Sequence, residues 1–106
     1  MRYAYRPEAE ADILGQYQYY LENATWATAR RFLLAVEESV ELITQMPVIG
    51  SSKTTRNRSL RGLRCWPVKD FAAMLIFYRT ESDVVRIIRI LHGRRNVAKI
   101  LAQEKL

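Results

Sequence analysis

The chain has 106 residues, 49% of them hydrophobic and 26% charged, with a formal net charge of +6 and a single cysteine, Cys65. This is the size and balance of one ordinary soluble domain, here residues 1–106. It excludes an intrachain disulfide and argues against a structural zinc site, since one Cys and one His cannot complete a ligand set. No apolar run approaches the roughly 20 residues of a bilayer-crossing helix, and the opening MRYAYRPEAEAD lacks the apolar core of a signal peptide. A cytoplasmic protein with no membrane partner, metal or cofactor is expected.

Arg2 to Arg6 alternates in side-chain character, with Tyr3 and Tyr5 on one face, and predicts a short first strand. Pro7 suits the first turn of a helix, where its missing N–H costs nothing. Glu8, Glu10 and Asp12 then place negative charge at the positive end of the helix dipole. Ala9, Ile13, Tyr17, Tyr20 and Leu21 recur at helical spacing, carrying this helix to about Glu22. Asn23 is the expected cap of a longer second helix. Its stripe is Ala29, Leu33, Val36, Val40 and Ile43, widened by Trp26, Phe32 and Leu42. The helix should end near Met46, because Pro47 disfavours helical geometry in the residue before it. So short a connection implies an antiparallel helical hairpin.

Val48 to Ser59 is polar and predicts a loop. Three strands follow, over Leu60–Val68, Phe71–Thr80 and Val84–Leu91, the last two joined by a Glu81-Ser82-Asp83 turn. The apolar density of FAAMLIFY and VVRIIRIL predicts interior strands with one face covered by the helices. Asn96 caps a short terminal helix in which Val97, Ile100 and Leu101 share a face. The order of strand, two helices, three-strand antiparallel meander and terminal helix predicts a two-layer α+β fold.

Charge is unevenly divided. Residues 1–50 carry four Arg against seven Asp or Glu, whereas residues 51–106 carry thirteen Lys or Arg against four Asp or Glu. The second half therefore calls for an anionic partner: nucleic acid, or an acidic protein segment or surface. A strand period of two puts Arg86 with Val84, Ile88 and Ile90, and Arg89 with Val85, Ile87 and Leu91. Each sheet face then carries one guanidinium, which must reach solvent or pair with a carboxylate. An open, basic sheet face offering forked hydrogen bonds to carboxylates or phosphates is the expected arrangement. His92, the only histidine, ends the last strand. It suits either a general acid–base in RNA cleavage or a structural tie before Gly93. Phosphate-binding glycine loops, serine elbows and metal-ligand clusters are missing from the sequence.

RPEAEADI at the first helix, MPVIG after the second, LRCWPVKDFAAMLIFYR and VVRIIRILHGRR together resemble the ParE toxins of type II toxin–antitoxin modules, within the RelE/ParE superfamily. The resemblance spans nearly the whole chain in the right order. It implies a growth-arresting, plasmid-stabilisation type of toxin that inhibits DNA gyrase by binding and is neutralised by a ParD-like antitoxin. Direct nucleic-acid binding outside that complex is not implied. RelE-like relatives instead cleave mRNA on the ribosome, and for that alternative the matching positions are Arg61, Arg79 and His92. Gly93 stands where some such nucleases have a tyrosine, and the strands supply no carboxylate base. The gyrase-binding reading is preferred, with no catalytic residues. Partner contacts are expected from Arg61, Arg64, Arg79, Arg86, Arg89, His92, Arg94 and Arg95.

Overall fold

Alternation and helical periodicity translate into nine elements in the computed structural model, which describes residues 1–105. They are β1 (Arg2–Tyr5), α1 (Pro7–Asn23), α2 (Trp26–Gln45), β2 (Ser51–Ser52), a 3-10 turn (Arg58–Leu60), β3 (Arg64–Val68), β4 (Phe71–Glu81), β5 (Val84–His92) and α3 (Val97–Ala102). The strands form one sheet in the order β1-β5-β4-β3-β2. The α+β expectation holds, and so does the antiparallel meander β3-β4-β5. Two strands extend it. β1 adds to β5 in parallel, from Arg2 opposite Val84 to Tyr5 opposite Ile87. The two-residue β2, inside the segment expected to be loop, pairs with β3.

Pro7 opens α1 as expected, with Glu8 and Glu10 in the first turn. The cap of α2 is Thr25, not Asn23: the Thr25 hydroxyl accepts the Thr28 N–H at 3.0 Å. Asn23 still belongs to α1, where its side-chain amide donates to the Tyr19 carbonyl. The buried face of α2 keeps most of the expected stripe and differs at its edges. Phe32, Ala35 and Ser39 are buried with Ala29, Val36, Val40 and Ile43, while Leu33, Trp26 and Leu42 lie exposed. This face packs with Ala9 of α1 onto Met74, Ile76, Tyr78, Val85, Ile87 and Ile90, forming the main core. Tyr78 locks the chain after α2: its hydroxyl accepts the Gly50 N–H at 2.9 Å and donates to the Pro47 carbonyl at 2.8 Å. A Cβ on Gly50 would stand 2.5 Å from that hydroxyl and 2.9 Å from the Cys65 carbonyl, so the position requires glycine.

The strand expected from Leu60 starts only at Arg64, because Leu60 closes the 3-10 turn and Gly62 takes a left-handed φ of +84°. The simple period of two also fails in β5. Phe77 pairs with Arg89 and Tyr78 with Ile87, leaving Ile88 as an extra, bulged residue. Beyond the bulge the faces exchange. Val85, Ile87 and Ile90 enter the helix-side core, whereas Ile88 and Leu91 enter a second core with Leu60, Leu63, Cys65, Phe77 and Leu101. The far face of the sheet is therefore not open along its length. The 3-10 turn and α3 cover part of it.

Candidate functional site

Arg79 and Arg86 are direct cross-strand partners at the turn end of the β4–β5 hairpin. Two guanidinium groups side by side repel unless an anion lies between them, and Glu81 supplies it. Its carboxylate accepts from Nε of Arg79 at 3.0 Å, from Nη2 of the same residue, and from Nε of Arg86 at 3.0 Å. The hydrogen bonds from Arg79, then those from Arg86, hold the Glu81 carboxyl below its usual range against the opposing effect of burial. Arg79 also donates through Nη1 to the Ser59 carbonyl, which ties the 3-10 turn to the hairpin. These groups line an open cleft of about 540 Å³ together with Arg58, Arg6 and Lys105.

Behind this cleft lies a buried ion-pair network. Asp12, projecting from α1, accepts from Nε and Nη2 of Arg89 at 2.7 and 2.8 Å and from the Ile90 N–H at 2.9 Å. Pairing with β1 ends at Ile87, so Asp12 satisfies a strand N–H that β1 no longer reaches. Glu104 bridges Arg89 at 2.5 Å and Arg6 at 2.7 Å. Arg6 also donates to the Lys105 carbonyl, and the Asn57 amide donates to the carbonyls of Leu101 and Glu104. The segment after α3 is thus fastened to β5, to the β1–α1 junction and to the loop before the 3-10 turn. Arg89 is held strongly protonated, chiefly by its hydrogen bonds to Asp12.

The eight expected contact residues fall into different settings. Arg79 and Arg86 share the cleft, and Arg61 lies exposed at the end of the 3-10 turn beside it. Arg64 donates to the Val48 and Gly50 carbonyls, buttressing the segment after α2. Arg89 is turned into the network. His92 sits opposite Met74, while Arg79 is five residues further along β4, so the two are separated by about 17 Å of strand. The Arg61, Arg79 and His92 trio is therefore not brought to one place. His92 Nδ1 accepts the Arg94 N–H at 3.0 Å, the tie before the turn that was one of its two expected roles. Arg94 and Arg95 are exposed beyond it. Among the described residues no cluster of His, Cys, Asp or Glu is placed to hold a metal ion.

A second, apolar cleft of about 540 Å³, between β1, α1 and α2, was not foreseen from the sequence. Tyr3, Tyr5, Ile13, Leu14, Tyr17, Leu33 and Val36 line it, with Glu10 and Glu37 at the rim. Burial, reinforced by Tyr3, Glu37 and Glu10, pushes the Tyr5 hydroxyl up to about 12. Its signal was the surplus of large apolar residues on α1 and α2 beyond what one buried stripe requires. Leu14 and Leu33 are both exposed.

A family model described as the ParE toxin of the type II toxin–antitoxin system parDE matches residues 3–97. No curated protein gives a significant match. Among solved structures, one of a chromosomal ParDE toxin–antitoxin system from P. aeruginosa superimposes with a TM-score of 0.71. It shares 18% sequence identity, over 87% of this chain and 95% of that chain, a likeness of fold.

Proposed function

We propose that this chain, which belongs to the ParE family of toxins of type II toxin–antitoxin systems, arrests growth by binding DNA gyrase in the cytoplasm and is neutralised by a ParD-like antitoxin. The family match over residues 3–97 carries this reading. The geometry supports binding over RNA cleavage: His92 and Arg79 lie at opposite ends of the hairpin, and the Arg79 and Arg86 guanidinium groups are engaged by Glu81. An antitoxin segment has two kinds of surface to cover. Its carboxylates meet the exposed Arg61, Arg94 and Arg95 and the outer edge of Arg86. Its apolar side chains meet the cleft beside Tyr3 and Leu14. Arg89, with its guanidinium committed to Asp12 and Glu104, acts by holding the fold, not by touching the partner.

Adding purified toxin to gyrase should stall supercoiling, and adding the antitoxin should restore it. Normal supercoiling at saturating toxin would overturn the target. The His92→Ala variant separates this from the nuclease alternative. Gyrase poisoning predicts that its toxicity persists with transcripts intact, while ribosome-dependent mRNA cleavage predicts that toxicity disappears.

A further inference from the structure

We propose that the cleft between the β4–β5 turn, the 3-10 turn and the segment after α3 is a binding site for phosphate groups, with Glu81 as a resident anion that tempers it. The site goes beyond the toxin reading and does not depend on which target the toxin has. Its lining carries Arg58, Arg79, Arg86 and Lys105 against the single carboxylate of Glu81. Arg6 also faces it, but its charge is matched by Glu104 at 2.7 Å and Glu8 at 3.2 Å.

Glu81 shows what the forks accept: one carboxylate bridges two guanidinium groups. Three of the five N–H donors of Arg79 are taken by Glu81 and the Ser59 carbonyl. Donors remain on three separate elements: Nη1 and Nη2 of Arg86 on β5, the Arg58 guanidinium on the 3-10 turn, and Nζ of Lys105 beyond α3. None of these has a hydrogen-bond partner among the described residues. Donors reaching from three directions match a tetrahedral phosphate with three outer oxygens better than a planar carboxylate with two. The backbone of Lys105 is fixed, because Arg6 holds its carbonyl at 3.0 Å and Glu104 beside it is anchored, and its side chain lines the cleft from that point.

The test uses the full chain, 15N-labelled, with the arginine Nε–H signals followed by NMR during titration with inorganic pyrophosphate. Saturable shifts are expected at Arg79 and Arg86, with Arg94 and Arg95 unmoved. Glu81→Gln removes the resident charge and should tighten binding roughly tenfold, the scale of one charge interaction near a protein surface. Arg86→Gln should weaken it by a similar factor. Arg58→Ala, on an exposed side chain without a hydrogen bond, should also weaken it and leave the spectrum otherwise native. A short single-stranded oligonucleotide run alongside distinguishes the source of the phosphate. Tighter binding than pyrophosphate assigns the site to a nucleic-acid backbone, and binding no tighter assigns it to a free phosphorylated ligand. The proposal is overturned by the absence of saturable shifts, by equal shifts at Arg94 and Arg95, or by weaker binding in Glu81→Gln. A hexaglutamate peptide that binds more tightly than pyrophosphate would also overturn it, and would make the cleft a socket for acidic peptide.

Discussion

Replacing Asp12 with alanine removes three hydrogen bonds at once, from Nε and Nη2 of Arg89 and from the Ile90 N–H. The Asp12 and Arg89 side chains are only 10% and 15% exposed, so water screens the pair little. Breaking such a pair from one side typically costs about 3–5 kcal/mol, because the surviving charge is stranded. Arg89 keeps Glu104 at 2.5 Å, which places the expected loss at the lower end, about 3 kcal/mol. For a domain of this size that corresponds to a fall in Tm of roughly 12–24 °C. Asp12→Asn retains an acceptor without the charge and should lose about half as much free energy. The control is Asp83→Ala. Its contact with Arg2 is 3.9 Å long between side chains 76% and 78% exposed, and removing it should cost less than about 0.5 kcal/mol. Urea unfolding at constant m measures all three. A loss below about 1 kcal/mol for Asp12→Ala, or one equal to that of the control, would refute the structural role given to this network.

Tyr78→Phe strands the buried Gly50 N–H and frees the Pro47 carbonyl. It should cost about 1–3 kcal/mol in urea unfolding, with faster amide exchange at Gly50. Burial alone would raise the Glu104 carboxyl, but hydrogen bonds from Arg6 and Arg89 outweigh it and hold the group below its ordinary value. A depressed folded-state pKa contributes stability that is complete above the unfolded value, about 4.3, and lost as pH falls through the folded one. The stability gap between wild type and Glu104→Gln should therefore be constant from neutral pH to about 5 and narrow below that. A gap unchanged at pH 3 would contradict this assignment. Arg94→Glu, on an exposed side chain, should weaken antitoxin binding and make it less salt-dependent. Unchanged affinity at low salt would remove Arg94 from the interface.

Local chemistry made much of the fold legible. Pro7 followed by acids starts α1, Pro47 follows the end of α2 near Met46, and a polar triplet between two apolar runs makes the β4–β5 hairpin. Misreadings arose where two neighbouring residues compete for one role. Asn23 and Thr25 are both good caps, and only the path of the chain decides that Thr25 reaches Thr28. Phe32 and Leu33 lie about 100° apart on the helix, both apolar and both assigned to the stripe, and only Phe32 reaches the core. A period-two reading carries no mark of the extra residue Ile88, so it put Ile90 and Leu91 each on the other's face of the sheet. The candidate site was half legible. The abundance of arginine was plain, but the carboxylates that engage it were not. Glu104 lies 98 positions from Arg6 and Asp12 lies 77 from Arg89, and no local pattern pairs residues so far apart.

The parallel seating of β1 against β5 governs the order in which the molecule can be completed. Arg2 finds its partner in Val84, and Arg6 finds its counter-charge in Glu104. A nascent chain emerging from the ribosome can wind its helical hairpin early, yet its first strand has no neighbour until the last one has been made. Closing so long a loop is entropically costly and slow compared with forming the hairpin. A chain interrupted before Glu104 leaves Arg6 without that carboxylate.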